Sequence, residues 1–255
     1  MTSSIDERGM HMPLIPDLTD PRYLDEVGWF LYHKAYGRQQ FGGSYDEERL
    51  AYSRLLLDEV LGYCGHDEPW LRDKTVVSIG CGCTGDLAAW PADVKIAVDP
   101  LLYTYQKLHM LVDDIAGTSP TVHLAVDVEA LPLLDDCADL VLCRNALDHM
   151  PDPKLGLRQI CRILKDNAPL FLSVDIGGFA TPDEPTVFSA DSLAGLLAEQ
   201  FTIASHTDDH PSHSGWRSGS VRILARKKLQ ARNGLDSDQI LQAYMARLDE
   251  RESEG

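Results

Sequence analysis

No stretch of about 18 consecutive apolar residues, the length a membrane-spanning helix needs, occurs in this chain. Its first residues, MTSSIDERGMHMPLIPDLTD, also lack a basic flank running into an apolar segment. No membrane span and no secretory leader is expected, and the expected location is the cytoplasm. Cysteine is sparse: Cys64, Cys81, Cys83, Cys137, Cys143 and Cys161 lie mostly inside apolar runs and form no pair of C-x-x-C knuckles. That argues against a disulfide framework and a structural zinc site, and for reduced, mostly buried thiols. Positive charge is short as well. Lys and Arg number 23 against 40 Asp and Glu, a formal net charge of −17. Because the acids are spread along the whole chain, their long-range field opposes nucleic acid and anionic membranes as partners.

What is present is an ordinary globular composition, 44% hydrophobic in 255 residues without repeats, enough for one sizeable core. Residues 21–43, PRYLDEVGWFLYHKAYGRQQFGG, carry apolar and aromatic residues at helical spacing up to a Gly-Gly stop. A second helix follows from Ser44, which begins an S-x-x-E capping box with Glu47 and precedes an apolar face of Leu50, Leu55, Leu56, Val60 and Leu61. From Thr75 the pattern alternates: strands at TVVSIG, VKIAVD, TVHLAVD, DLVLCR and LFLSVD, with helical segments DLAAW, LLYTYQKLHMLVDDI and PKLGLRQICRIL between them. Buried strands alternating with helices predict a doubly wound parallel α/β sheet. The last two strands, FTIASH and SVRILARKK, have only a polar loop between them, which predicts an antiparallel terminal hairpin. Ile240, Leu241, Tyr244, Met245 and Leu248 line one face of a C-terminal helix that packs on the domain or on a second subunit. The organisation read is a helical lid segment over 1–45, an α/β domain over 46–228 and a C-terminal helix over 229–255.

The stretch VVSIGCGCTGDL contains Gly80-x-Gly82-x-x-Gly85 at a strand end. Glycine there allows a tight turn and a close ligand approach, a demand shared by dinucleotides and S-adenosylmethionine. Asp99 ends the second strand, 19 residues after Gly80, where a carboxylate accepts from a ribose diol in either case. Asp127 ends the third, followed by Val128 and Glu129, and the fourth runs into NALDHMPDP. The ordered set over roughly 50–228, with the terminal hairpin, resembles the class I S-adenosylmethionine-dependent methyltransferases, particularly their small-molecule branch. That resemblance implies a Rossmann-like seven-stranded sheet whose last strand is antiparallel, and S-adenosylmethionine as cofactor. It also implies that Gly80, Cys81, Gly82 and Gly85 form the methionyl loop. Asp99 then holds the ribose, Pro100 and Leu101 pack on the adenine, Asp127 and Val128 meet its amino edge, and Asn145 lies near the sulfonium. Cys83 and Thr84 stand where a small residue followed by Gly is frequent in that family. Tyr103-x-x-x-Lys107 matches the catalytic pair of short-chain dehydrogenases, but its place after the second strand reads as packing with a solvated lysine.

Ligands of open α/β sheets bind beyond the carboxyl ends of the strands. Three polar segments converge there: NALDHMPDP, DIGGFATPDEPTVFS and HTDDHPSHSGWRSGS, with Trp29, Tyr32, His33 and Tyr36 of the first helix as a lid. In-line methyl transfer requires alignment and water exclusion and, for a hydroxyl acceptor, a base. The base candidates are His149, His206 and His210; with His213 the last two form H-x3-H-x2-H, a polar loop from which no metal is expected. The chemistry expected is methylation of oxygen or nitrogen on a small-molecule acceptor, with dimerisation through the terminal helices an option. Competing readings are a nicotinamide-dependent oxidoreductase, which requires a parallel crossover after FTIASH, a non-catalytic protein on the same fold, and methylation of RNA or protein, which the charge disfavours.

Overall fold

The computed structural model describes residues 20–36, 44–210 and 218–229. His213 and the helix expected beyond Leu229 lie outside them. Two helices lead, α1 over Pro21–Tyr36 and α2 over Tyr45–Cys64. The start of α2 follows the capping box: Glu47 N donates to Ser44 Oγ at 3.3 Å and Ser44 N to Glu47 Oε2 at 2.7 Å. Two N–H groups that a helix start leaves open are satisfied this way. Its inner face is rotated from the one predicted: Leu56, Leu57, Val60, Leu61 and Cys64 are buried, whereas Leu55 is exposed.

Seven strands form one sheet in the order β3-β2-β1-β4-β5-β7-β6. They are β1 (Thr75–Ile79), β2 (Val94–Val98), β3 (Thr121–Leu124), β4 (Leu140–Arg144), β5 (Pro169–Ile176), β6 (Phe201–His210) and β7 (Gly219–Lys227). The first five are parallel and β7 runs antiparallel between β5 and β6, so the predicted doubly wound sheet with a terminal hairpin is the one observed. The crossover that a nicotinamide reading requires after FTIASH is replaced by this ladder. Alternate residues of the central strands feed two cores, as a sheet covered on both faces demands. Val76, Leu140, Leu142 and Phe171 pack with α2, and Val77, Val141, Cys143 and Leu172 pack with the helices opposite. Those helices are α4 (Pro153–Ile163), whose first turn Asp152 caps by accepting from Leu155 N at 2.9 Å, and α5 (Ala190–Ala198), capped by Ser189 and Ser192.

Three segments differ from the sequence expectation. No helix follows the glycine loop: residues 86–89 are successive turns, with Ala88 N bonded to Gly85 O at 2.9 Å, because Pro91 stops any continuation after Trp90. The helix expected over 101–115 is only Leu102–Lys107, α3. It breaks at His109, which adopts φ 53°, a left-handed conformation incompatible with another helical turn. The first hairpin strand extends to His210, beyond the predicted FTIASH, since Thr207 pairs with Arg222 and His210 with Ser220.

Gly195 lies in α5, and no atom stands within 4 Å of a Cβ added there. Gly195→Ala is expected to raise stability by about 0.5–1 kcal/mol through reduced chain entropy and better helix propensity. A thermal melt checks this, and a lower midpoint would show that α5 does not tolerate a methyl at that face.

Candidate functional site

A cavity opens beyond the carboxyl ends of β1, β2 and β4. From the sheet side it is lined by Ile79, Gly80, Val98, Asp99, Pro100, Leu101, Asp127, Val128, Asn145 and His149, and α1 closes it with Arg22, Tyr23 and Glu26. Gly80 occupies φ 62° and donates its N–H to Val98 O at 2.8 Å, which ties the loop to the neighbouring strand end. Asp99 is buried and both its oxygens are engaged by backbone: Oδ2 accepts from Gly82 N at 2.9 Å and Oδ1 from Leu101 N at 2.8 Å. Burial raises its carboxyl to about 6, although the two N–H groups pull the other way. Each oxygen retains a lone pair for a further donor. Asp127 is half-buried and also raised by desolvation, with Arg22 opposing.

Asn145 sits at φ 45°, and its N–H donates to Ser173 O at 2.7 Å. The side-chain Oδ1 is buried without a hydrogen-bond partner among the described residues, an expensive state unless a ligand or water supplies a donor. His149 presents Nδ1 to Glu26 Oε2 at 3.9 Å and Nε2 to Glu184 Oε1 at 4.0 Å. Asp148, His149 and Glu184 bring one potential ligand atom each within 4.8 Å of one another. The two imidazole nitrogens face different carboxylates at separations longer than a hydrogen bond, and no ion is assigned to the cluster.

Several expected residues are thus brought together: Gly80, Asp99, Pro100, Leu101, Asp127, Val128, Asn145 and His149 share one cavity. Cys81, Gly82 and Gly85 do not line it but border a smaller cavity with Val112 and His123. The cause is α1. Phe30 lies over the loop, so that a Cβ on Gly82 would stand 2.8 Å from its ring, and Phe30 itself packs edge-on against Tyr105 at 5.5 Å. The lid assignment also changes within α1. Trp29 and Tyr32 are 47% and 61% exposed, the side chains of His33 and Tyr36 lie outside the description, and the inward residues are Arg22, Tyr23, Glu26 and Phe30. Their spacing, with steps of one, three and four, is a helical face that the aromatic content had obscured. His206, the last residue of the expected strand FTIASH, is exposed on the edge strand β6, opposite Ile223, outside the cavity lining. His210 is placed by its backbone at the level of Ser220 on the same edge strand. Met150 and Pro151, from the NALDHMPDP segment, and Asp183, from DIGGFATPDEPTVFS, also line it.

A family model described as a methyltransferase domain matches residues 77–172, the segment that carries the glycine loop, Asp99, Asp127 and His149. That match supports reading this segment as the core of a class I S-adenosylmethionine-dependent methyltransferase. The chain is also 26% identical over 159 residues to the ubiquinone biosynthesis O-methyltransferase of Nitrosomonas europaea. The match covers 60% of this chain, which spans 62% of that relative's length. Two solved structures share the methyltransferase fold. The cyclase SpnF has a TM-score of 0.57 at 17% identity, covering 86% of this chain and 99% of that one. The Burkholderia thailandensis 1,6-didemethyltoxoflavin-N1-methyltransferase, solved with its acceptor and S-adenosylhomocysteine, has a TM-score of 0.50 at 20% identity, covering 86% and 93%. Among the described residues no helix is long and apolar enough to cross a membrane.

Proposed function

We propose that this chain transfers the methyl group of S-adenosylmethionine to oxygen or nitrogen of a small-molecule acceptor by in-line displacement. The observation that carries the reading is the single cavity shared by Asp99, Asp127, Asn145 and His149. Its groups fit the cofactor. Asp99 has lone pairs for the ribose hydroxyls, Pro100 and Leu101 offer an apolar wall for the adenine beside Asp127 and Val128, and the unpartnered Oδ1 of Asn145 supplies an acceptor for the methionyl end. Gly80, without a side chain, leaves room at the end of β1. When bound, the cofactor supplies a methyl group on a positively charged sulfur. The names of the relatives agree in kind, one an O-methyltransferase and one an N1-methyltransferase.

The protein's own work is then to align the acceptor, exclude water with α1, and hold or move a proton. His149 is the base for a hydroxyl acceptor, with Glu184 and Glu26 orienting its ring; an amine or an already ionised acceptor needs alignment alone. His206 and His210, on the edge strand, have no part in this assignment. With a hydroxyl acceptor, His149→Ala is expected to lower kcat by roughly 10²–10⁴-fold while cofactor binding stays within about threefold. Steady-state kinetics beside calorimetry check the split, and unchanged turnover of such an acceptor would remove His149 from the chemistry. The fold also carries a cyclase, so binding of S-adenosylmethionine without methyl transfer to any acceptor would favour the non-methylating reading.

A further inference from the structure

Arg144 ends β4 and is followed directly by Asn145, which lines the cavity, yet Arg144 does not line that cavity itself. Strand alternation explains the difference. Cys143 packs in the core on the α4 side, so Arg144 turns to the opposite face, where α2 lies. There its Nη1 donates to the Tyr52 hydroxyl, and its guanidinium carbon stands 5.3 Å from the centre of the Tyr52 ring. One turn earlier on α2, Arg49 lies 5.6 Å from the Tyr52 ring and 5.5 Å from the Tyr45 ring. Lys34 of α1 ends the row, 5.2 Å from Tyr45. In a chain of formal net charge −17, three cations are thus gathered beside the end of β4.

The protein answers these charges poorly. Among the described residues no carboxylate is paired with Arg144. Asp86 acts on it from a distance, with its own oxygens held by the hydroxyls of Ser78 at 3.0 Å and Thr84 at 2.5 Å. Glu59 also acts from a distance and is paired with Arg222 at 2.8 Å. Arg49 has only Glu48, 3.4 Å from its Nη2. Both arginines are half-buried, and the Nε of each is buried without a hydrogen-bond partner among the described residues. Shielded cationic donors in this state are costly until an anion meets them.

Resting on the methyltransferase reading above, we propose that Arg144, assisted by Arg49, binds a carboxylate of the acceptor, so that the substrates of this site are small molecules bearing that group. A guanidinium matches a carboxylate with two parallel hydrogen bonds. With Nη1 given to Tyr52, Arg144 keeps its Nε and Nη2 edge for such a pair. The cofactor's own carboxylate is the other anion to consider, but the methionyl end is assigned to Gly80 and Asn145, in a cavity that neither arginine lines. An acceptor anchored at Arg144, one residue from Asn145, presents its nucleophile to the methyl group from the α2 side of β4.

Calorimetry tests this with benzoate, benzamide and benzylamine, fragments of similar shape and different charge, on the full chain saturated with S-adenosylhomocysteine. Benzoate is expected to bind at least roughly tenfold more tightly than the other two. Arg144→Met is expected to remove that preference while leaving S-adenosylhomocysteine within about twofold, and Arg49→Met to weaken benzoate less. Because no ion pair is broken, Arg144→Met should melt close to the unaltered protein; Arg49→Met carries the test if it does not fold. Equal affinity for benzoate and benzamide, or no binding of benzoate, overturns the proposal, as does a preference for benzoate that survives Arg144→Met. An equal loss of S-adenosylhomocysteine in Arg144→Met would give the guanidinium to the cofactor's carboxylate, which overturns it too. Failure of S-adenosylhomocysteine to bind the unaltered protein overturns the methyltransferase reading instead, and the benzoate comparison is then read on the unloaded chain.

Discussion

Gly80→Ala is expected to lower the melting temperature by roughly 10 °C and to abolish cofactor binding. Two effects add. Gly80 occupies φ 62°, where a side chain costs about 1–2 kcal/mol. The added Cβ would also stand 2.2 Å from the Cβ of Ala146 and 3.5 Å from its Cα, so the obstacle is backbone-anchored and has no rotamer to escape into. Overpacking of this kind costs about 1–3 kcal/mol more. The strand end must therefore separate from the segment after β4, and that segment carries Asn145 and His149. Thermal melts and calorimetry check both parts of the expectation, with Gly195→Ala as the glycine replacement that meets no atom. Retention of affinity in a destabilised Gly80→Ala protein would mean that the ligand does not depend on the Gly80–Ala146 approach.

That close approach could not be read from the sequence, which marked Gly80 only by its motif. The neighbour that makes glycine necessary is Ala146, 66 positions later, and it is brought there by the parallel pairing of β1 with β4. Local signals did carry much of the fold. The capping box at Ser44, the alternation of apolar strands with helices, and the missing crossover between the last two strands led to the seven-stranded sheet, because each is decided within a few residues of chain. Acids at the ends of β2 and β3 were legible for the same reason, since strand ends of a parallel sheet share one edge. What failed was decided at longer range. Periodicity continued through His109, but its left-handed backbone ended α3. Composition made the residues after FTIASH a loop, but pairing with β7 continued the strand to His210, and His206 lies exposed on that edge strand, outside the cavity lining. Trp29 and Tyr32 looked like lid residues by type, yet docking of Phe30 on the glycine loop turned Arg22, Tyr23 and Glu26 inward instead. Glu26 had no motif to mark it, and it reaches the cavity only because α1 closes over the strand ends.

Asp99→Ala separates the role of the strand-end acid from its part in holding the loop. The substitution removes acceptors for Gly82 N and Leu101 N, leaving two donors each worth about 1–3 kcal/mol if no water replaces the carboxylate. At neutral pH it also removes a buried charge. The carboxyl's rise from 3.8 to about 6 means that ionised Asp99 destabilises the native state by on the order of 3 kcal/mol. The sign follows from linkage: a raised carboxyl favours the protonated native protein, so this cost is absent below about pH 4, grows as pH rises through 6, and is complete above it. Asp99→Ala is therefore expected to melt close to the unaltered protein at pH 7.5 and clearly below it near pH 4.5, where the charge cost has largely gone but the lost hydrogen bonds remain. Ligand binding is expected to behave differently. Loss of charge-assisted bonds to a ribose diol predicts affinity lower by roughly 10²–10³-fold above about pH 6, where the carboxyl is ionised, and a smaller loss below it. Because the ribose is common to S-adenosylmethionine and S-adenosylhomocysteine, the loss should be equal for both. Calorimetry with both ligands, and with NAD and NADP on protein stripped of small molecules, reads these patterns directly. Unaltered affinity in Asp99→Ala would take the ribose contact away from this residue, and binding of NAD alone would move the whole cavity to a different cofactor.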